Sequence, residues 1–514
     1  MMALVNAKSS VLEAPWKDRA GERRGHLLIG SVLGVWGALA AVFTFRLAGK
    51  GMDDFFITYR YALHLARGEG FVFNPGEKVF GLTNPGLALA LAALRSLTRI
   101  EIPILATVLF ALGLVALAWL LLRSAARTGR LPEAFGGGTL LVTSSYLWAQ
   151  QGGEGIPMLA LLAGAAELGA TRPIVAGLLA GLAAWFRPEA ALACGFLCLL
   201  LMVEERKVPW RFAATAAAAI GVGLLAAAWY FGTPIPNSLA AKQAMAAGIA
   251  DAWAGPIRFW LRSVRLVSRH AGPLWQWAVG LGLLGQVPLF AFGGRPGKVF
   301  VLFALSLSVL YPVSGVPWFP WYMVSMVVAI LYGIAFLIGG VVRLIGRGPA
   351  MPRRVAAVLA GTLLAVPIMI SLLPASYHWH RISKGWVPFM ERYRSAGLWL
   401  AANSTPGATV SYYEVGVLGY FSDRTVIDLL GIVTPEVLPY VRRGDFNGAF
   451  LARPADYAIF DTARGGLMPV AAPWFQDAYT PVAGFGELTI FERRRGVTLP
   501  ASAPPSNQNS IPGR

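Results

Sequence analysis

A pair of aspartates follows the first long apolar segment of the chain, within the stretch GMDDFFITYRY at residues 51–61. The apolar segment before it, residues 27–47, is long enough to cross a membrane, which takes roughly 20 residues. Adjacent carboxylates at the edge of such a segment cost free energy unless they are used. Asp53 and Asp54 are therefore either a cap for the next helix, or a base and its neighbour that act on a substrate hydroxyl.

The composition of the whole chain agrees with insertion in a membrane. Of its 514 residues, 56% are hydrophobic and only 14% are charged, whereas a soluble domain carries about 25% charged residues. The formal charge is +18, but the basic residues collect in short loops between apolar segments, which is a signal of topology. We therefore expect no nucleic-acid partner. Cys194 and Cys198 lie four residues apart in an apolar segment, so no disulfide framework is predicted.

The apolar and basic segments together predict about 11 membrane spans. The basic loops are residues 17–24, 123–130, 207–211, 295–298 and 343–354. If all five lie in the cytoplasm, each interval between them must contain an even number of spans. The intervals contain two, four, two and two, which places the N-terminus inside and the C-terminus outside. The predicted spans are residues 27–47, 102–122, 134–149, 156–170, 173–186, 190–203, 212–231, 274–292, 299–316, 321–342 and 355–373.

A further apolar stretch, residues 85–94, ends at Arg95 and is too short to span. Counting it as a span would also reverse the sidedness of the basic loop at residues 123–130. Residues 84–98 are therefore predicted to form a helix that lies at the outer interface of the membrane.

The segment after the last span reads as a small α/β domain on the outer side. A helix is expected at residues 386–402, and strands are expected at 409–413, 457–460 and 487–492. The predicted division of the chain is a cytoplasmic tail at 1–26, a membrane module at 27–373, an outer α/β domain at 374–498 and a disordered tail at 499–514.

The stretch from Asp53 to Pro85 resembles the first outer loop of one branch of the GT-C superfamily of membrane glycosyltransferases. That branch includes the cell-wall arabinofuranosyltransferases of actinobacteria. The common pattern is an Asp-Asp pair, a short amphipathic helix, a Gly-x-Gly-x-x-Phe-Asn-x-Gly-Glu turn and a Thr-Asn-Pro entry to a second helix. All four features occur here in this order.

Further motifs of the family follow along the chain. They are a second acidic loop at residues 152–157, an Arg-Pro-Glu motif at 187–189, a Thr-Pro-Ile-Pro-Asn-Ser segment at 233–238 with Lys242, and a turn of the outer domain at 426–431. Two positions depart from the pattern: Gly155 replaces a small hydroxyl residue or alanine, and Trp321 replaces an arginine. A phosphate or sugar contact made by that arginine would have to come from another residue.

The resemblance implies an all-α polytopic membrane fold, GT-C-like, with interfacial helices in the first outer loop. It also implies an inverting transfer of a sugar, arabinofuranose in this branch, from a polyprenyl-phosphate donor to a glycan, lipid or protein acceptor outside the bacterial inner membrane. Asp53 is favoured as the general base, with Asp54 beside it. The residues of the matching motifs that are expected to bind substrate are Tyr59, Arg60, Asn74, Glu77, Thr83, Asn84, Glu154, Arg187, Glu189, Asn237, Lys242, Tyr322 and Asp428.

Several of these assignments have structural alternatives. Glu154 can be an ordinary loop residue, Arg187 and Glu189 can form a structural ion pair, and Asn237 and Lys242 can cap a helix and reach toward the interface. No cofactor is assigned, and the question whether Asp53 or Asp54 holds a divalent metal ion stays open.

Four arginines on the outer side break the rule that basic residues lie inside. Arg258, Arg262, Arg265 and Arg269 recur at helical spacing and so share one face. This stripe suits either the donor phosphate or the anionic headgroups of membrane lipids.

Two other functions stay open at this stage. A lipid or polysaccharide transporter would have charges along the middle of its spans, and many transporters have inverted repeats, of which none is visible here. A non-catalytic relative would keep the fold and lose an acidic site.

Overall fold

The computed structural model describes residues 19–249, 256–271, 275–345, 387–461 and 469–502. They form a helical module followed by a small α/β domain, which confirms the predicted fold class. The helices of the module are α1 (Arg19–Leu47), α2 (Asp53–Ala66), α3 (Pro85–Thr98), α4 (Ile102–Arg127), α5 (Leu131–Thr143), α6 (Ser145–Ala149), α7 (Gly155–Leu168), α8 (Pro173–Phe186), α9 (Ala190–Glu205), α10 (Trp210–Phe231), α11 (Asn237–Gly248), α12 (Pro256–Ala271), α13 (Trp275–Leu284), α14 (Gln286–Phe292), α15 (Gly294–Val313) and α16 (Val324–Ile345).

Five helices of the described residues are long and apolar enough to cross a membrane. The other apolar helices are shorter, so the predicted count of spans is not reproduced by length alone. The predicted span at residues 355–373 lies outside the described residues. The five long segments are Ile29–Leu47, Ile102–Arg127, Trp210–Phe231, Gly294–Val313 and Pro320–Leu344.

One predicted span, residues 134–149, is wrong as a continuous helix. The backbone of Ser144 is extended, with ψ of 113°, and its hydroxyl accepts a hydrogen bond from the amide of Leu147. Serine is a preferred residue at the start of a helix because its hydroxyl can bond an amide that otherwise has no partner. The apolar segment is therefore divided into α5 and α6.

Helices α8 and α10 pack closely because α8 has glycine where the two backbones meet. A Cβ at Gly177 would lie 1.9 Å from the Thr215 hydroxyl, and one at Gly181 would lie 2.5 Å from the Ala219 side chain. Two small residues four apart are a common means of close helix packing in membranes.

The first outer loop contains α2, a turn and α3. The predicted helix at residues 84–98 is confirmed as α3, which starts at Pro85 and ends at Thr98. The turn needs glycine at Gly70, whose φ is 101° and where a Cβ would lie 3.0 Å from the hydroxyl of Tyr230.

The C-terminal α/β domain, which keeps the name outer domain from its predicted side of the membrane, is a mixed sheet with helices. Its strand order is β2-β1-β3-β5-β4, with β1 parallel to β2 and β3, and β5 antiparallel to β3 and β4. Its helices are α17 (Val387–Asn403), α18 (Gly416–Ser422), α19 (Leu438–Arg443), α20 (Phe446–Ala452) and α21 (Pro473–Ala478), and its strands are β1 (Thr409–Tyr412), β2 (Thr425–Asp428), β3 (Tyr457–Asp461), β4 (Tyr479–Phe485) and β5 (Leu488–Arg493).

The predicted helix and three strands of this domain are confirmed as α17, β1, β3 and β5. The sequence did not predict β4, and residues 426–428, expected in a turn, belong to β2. This short strand pairs with β1 along its whole length, from Thr425 opposite Thr409 to Asp428 opposite Tyr412.

The outer domain packs on the first outer loop through buried polar contacts as well as a common apolar core. The guanidinium of Arg60 is buried and donates to the carbonyl oxygens of Gly419 and Arg424, the latter at 2.6 Å. The Asn74 amide bonds both main-chain groups of Val426, at 3.0 and 2.9 Å. The loop thus holds the edge strand β2 as a neighbouring strand would.

Candidate active site

A partly open cleft, with about 440 Å³ of empty space when the open solvent at its mouth is counted, lies where the first outer loop, α11 and the outer domain meet. Its lining combines carboxylates, amide and hydroxyl groups, one ammonium group and apolar rings. The lining residues are Asp54, Phe55, Ile57, Thr58, Gly81, Leu82, Thr83, Asn84, Glu154, Ser238, Lys242, Trp321 and Ile432.

The two aspartates at the start of α2 point to different neighbours. Asp53 is buried, and its two carboxylate oxygens accept hydrogen bonds from the amides of Gly416 and Val417, at 3.0 and 2.8 Å. These amides start α18, so Asp53 caps a helix of the outer domain. Asp54 is half-buried and lines the cleft. A carboxylate at a helix N-terminus is favoured by the helix dipole.

A chain of hydrogen bonds holds the second acidic residue of the cleft. The Thr58 hydroxyl donates to the side-chain oxygen of Asn84 at 2.8 Å, and the Asn84 amide donates to Glu154 at 3.0 Å. The other oxygen of Glu154 accepts from the guanidinium of Arg187 at 2.7 Å. Glu154 is thus a buried and paired carboxylate.

Arg187 is occupied by two carboxylates and lies behind the cleft. It bonds Glu154 as above and Glu189 at 2.6 Å, and it donates to the Tyr311 hydroxyl at 3.2 Å. Tyr311 in turn donates to Glu189 and stacks on Tyr322, with ring centres 4.4 Å apart. Arg187 and Glu189 thus form a buried ion pair, which was the alternative to their predicted role in substrate binding.

Lys242 brings a positive charge to the cleft, and an aromatic cluster holds it. Its Nζ lies 5.0 Å from the ring centre of Phe319, 5.5 Å from Trp321 and 5.4 Å from Tyr322. Aromatic faces attract a cation at these distances. Trp321 stands where the resembling family often has arginine, and at this place the cleft has the ammonium of Lys242 instead.

The second departure, Gly155, has a packing cause. A Cβ at this position would lie 3.0 Å from a methyl group of Val324. A larger side chain here would require Val324 to move by a few tenths of an ångström, so the close contact between α7 and α16 favours glycine.

Other predicted substrate-binding residues join the outer loop to the rest of the protein. Arg60 and Asn74 bond main-chain atoms of the outer domain, as described above. Glu77 pairs with Arg453 and accepts from the Asn74 amide. The Tyr59 hydroxyl donates to the carbonyl of Gly152 at 2.9 Å. None of these side chains lines the described part of the cleft.

Asn237 and Asp428 shape one wall of the cleft from behind. The Asn237 amide donates to the carbonyls of Gly431 and Ile432, at 2.7 and 2.8 Å. Asp428 accepts from three amides of the turn at residues 430–433, and burial raises the pKa of its carboxyl to about 6. The position of Ile432 in the cleft depends on both residues.

The arginine stripe lies on α12, and none of its arginines whose side chains are described lines the cleft. Arg258 and Arg265 are exposed, and Arg262 is half-buried with its guanidinium 5.9 Å from the Trp318 ring centre. The side chain of Arg269 lies outside the described residues.

Glu414 of the outer domain is an acidic residue that the sequence did not single out. One carboxylate oxygen each of Asp53, Asp54 and Glu414 lie within 4.8 Å of one another, a grouping that could hold a metal ion. All three ligands are carboxylates, which suit Mg²⁺, Ca²⁺ or Mn²⁺. The aspartates and Glu414 lie about 360 residues apart in the chain, and no local motif marks Glu414.

Comparisons with known proteins were made for the sequence and for the fold. Residues 385–501 match the family described as a domain of unknown function (DUF8728). No curated protein matches the sequence.

Solved structures match the fold over most of the chain. ArnT from Cupriavidus metallidurans bound to undecaprenyl phosphate has a TM-score of 0.59 at 14% identity, covering 91% of this chain and 98% of ArnT. The apo form of ArnT has a TM-score of 0.56 at 12% identity, covering 93% and 100%. The apo oligosaccharyltransferase of Archaeoglobus fulgidus has a TM-score of 0.50 at 13% identity, covering 91% and 74%. The chain is thus a multi-pass membrane protein with the GT-C-like fold of these proteins.

Proposed function

We propose that the protein is a glycosyltransferase that moves a sugar from a polyprenyl-phosphate donor to a glycan, lipid or protein acceptor on the outer face of the membrane. The observation that carries this proposal is that a carboxylate, Asp54, and an ammonium group, Lys242, line one cleft of a GT-C-like fold. Transfer from such a donor needs a base for the acceptor and a positive charge for the departing phosphate.

The proposed reaction is a single displacement. Asp54 takes the proton of the acceptor hydroxyl, whose oxygen attacks the anomeric carbon of the sugar. The bond between that carbon and the phosphate oxygen breaks, and the electron pair leaves with the lipid phosphate. Lys242 stabilises the charge on the phosphate, and the configuration at the anomeric carbon is inverted.

The sequence favoured Asp53 as the base, but its hydrogen bonds favour a different role. Both carboxylate oxygens of Asp53 accept amide hydrogen bonds, whereas Asp54 lines the cleft. We therefore assign proton transfer to Asp54 and the positioning of α2 to Asp53. Thr83, Asn84 and Glu154 are assigned to the sugar or the acceptor, because they supply polar groups to the same cleft.

The lipid carrier is inferred from the fold and the charge of the cleft. ArnT, which has this fold, was solved with undecaprenyl phosphate, and Lys242 offers a cation to such a phosphate. Arabinofuranose is the first sugar to test, because the first outer loop resembles the branch that transfers it. We place the active site and the outer domain on the periplasmic or extracellular side of a bacterial inner membrane.

Turnover of purified protein in lipid nanodiscs tests this function. We expect product with one member of a panel of polyprenyl-phosphate sugars, and a loss of at least about a hundredfold in Asp54→Asn, the usual contribution of a general base. Asp445→Asn is the matched control. Asp445 caps α20 by accepting from Gly448 at 2.8 Å, and asparagine caps equally well.

Two results would contradict the proposal. Equal turnover in wild type and Asp54→Asn would remove the assigned base. Movement of a fluorescent polyprenyl phosphate across the bilayer, without any glycosylated product from the panel, would favour a transporter.

The need for a metal ion is a separate question about Asp53, Asp54 and Glu414. A bound divalent ion would supply positive charge beside the phosphate. We expect turnover to continue after treatment with a chelator, because Lys242 already carries such a charge and Asp53 bonds two amides. Loss of turnover on chelation, with recovery on adding Mg²⁺ or Mn²⁺ to wild type but not to Glu414→Gln, would assign an ion to these carboxylates.

A further inference from the structure

A buried hydroxyl that the proposed reaction has not used belongs to a residue that lines the cleft. Ser238 is 4% exposed and lines the cleft, and its Oγ has no hydrogen-bond partner among the described residues. Most buried polar groups in proteins have a partner, so an exception calls for an explanation. A ligand that enters the cleft would supply one.

The position of Ser238 indicates which part of a ligand it would meet. Ser238 and Lys242 are four residues apart on α11, so they share a face of the helix. Ser238 lies in the first turn, where the helix dipole favours negative charge. A hydroxyl donor, an ammonium group and a helix N-terminus together form a site for an anion.

The start of α11 is held firmly before any ligand binds. The main-chain amide of Asn237 donates to the carbonyl of Phe80 at 2.7 Å, and its side chain bonds the carbonyls of Gly431 and Ile432. The first outer loop and the outer domain thus both hold the residue next to Ser238. A group that is already in place loses little freedom when it binds.

We infer that Ser238 donates a hydrogen bond from Oγ to the phosphate of the lipid-linked donor, beside the ammonium of Lys242. This inference rests on the proposed function and adds a second phosphate-binding residue to it. Ser238 binds the phosphate of the intact donor, in which the phosphate links sugar and lipid, and it still binds the phosphate after the sugar has left.

Binding of two lipids by the full chain in nanodiscs tests the inference. The probes are undecaprenyl phosphate and undecaprenol, which differ only in the phosphate. We expect Ser238→Ala to bind undecaprenyl phosphate about tenfold more weakly than wild type, the usual effect of losing a hydrogen bond to a charged group. Affinity for undecaprenol should be unchanged, and Ser238→Thr, which keeps the hydroxyl, should bind the phosphate better than Ser238→Ala.

Thermal unfolding without ligand separates binding from a structural role. Because the Ser238 hydroxyl bonds nothing among the described residues, Ser238→Ala should unfold at the wild-type temperature or above it. Ser96→Ala is the control, since its hydroxyl bonds the carbonyl of Ala92 on α3 and lies outside the cleft. It should leave both affinities unchanged.

Three other binding results would each contradict the inference. Equal binding of undecaprenyl phosphate by wild type and Ser238→Ala would overturn the inference and leave the proposed function intact. An equal loss for both lipids would also overturn it, since the hydroxyl would then not act through the phosphate. No binding of undecaprenyl phosphate by wild type would overturn the inference and the proposed donor together.

Discussion

At the scale of single residues, two neighbouring aspartates have different tasks because a helix turns their side chains in different directions. Asp53 starts α2 and reaches the N-terminal amides of α18, while Asp54 lines the cleft. Substitution of each by asparagine should therefore have different consequences. Asparagine has nearly the same shape but no charge and only one acceptor oxygen.

We expect Asp53→Asn to destabilise the protein more than it slows the chemical step. One of two amide hydrogen bonds to a charged acceptor is lost, which costs about 1.5–3 kcal/mol. Thermal unfolding should show this loss, and turnover should fall less than in Asp54→Asn. A folded Asp53→Asn protein of normal stability with the larger loss of turnover would make Asp53 the base after all.

At the scale of elements, α11 brings the positive charge to the cleft and the aromatic cluster of residues 319–322 holds it. The sequence predicted that Lys242 binds substrate, but it did not predict the aromatic cluster around it. Trp321 was noted only as the replacement of an arginine. The sequence also does not show that Arg187 is occupied by two carboxylates. That outcome depends on how α7, α8 and α15 pack, and such packing leaves no local signal.

Removal of the Lys242 charge should weaken donor binding selectively. In Lys242→Met the apolar stem remains among the aromatic rings, so the fold should be kept while affinity for undecaprenyl phosphate falls about tenfold. Lys78→Met is the matched control, because its Nζ lies over the ring of Tyr230 at 5.1 Å and outside the cleft. If Lys242→Met binds undecaprenyl phosphate as tightly as wild type, Lys242 does not bind the donor phosphate and instead reaches toward the membrane interface.

Prediction from sequence succeeded for several elements with a local pattern and failed where a partner is distant, although two local features, strand β4 beside β5 and the helix break at Ser144, were also missed. The short apolar stretch that ends at Arg95 predicted α3, and three strands of the outer domain were also predicted. Strand β2 was missed because its free edge depends on Asn74, about 350 residues away in the chain. For the same reason the sequence identified Arg60 and Asn74 without showing that they bond the outer domain.

At the scale of the whole molecule, the sidedness of the loops decides whether the cleft faces outward. We expect single cysteines at Lys78 and Thr405, both exposed, to react with a membrane-impermeant maleimide added to intact cells. Cysteines at Thr128 and Lys207, also exposed, should react only after the cells are opened. Replacement of Cys194 and Cys198 removes the background. Labelling at Thr128 from outside would refute the even number of spans between the basic loops.

The docking of the outer domain has a consequence for how such proteins can diverge. Asp53, Arg60 and Asn74 bond main-chain groups of the outer domain, and those groups are present whatever side chain the residue carries. Among the residues that supply these main-chain groups, Gly416 and Gly419 are restricted, because a Cβ there would lie 1.8 Å from the Asp53 carbonyl or 2.8 Å from the Arg60 guanidinium. Through evolution, side chains of the outer domain outside the common apolar core and the Glu77–Arg453 ion pair can therefore change without loss of these hydrogen bonds to the first outer loop.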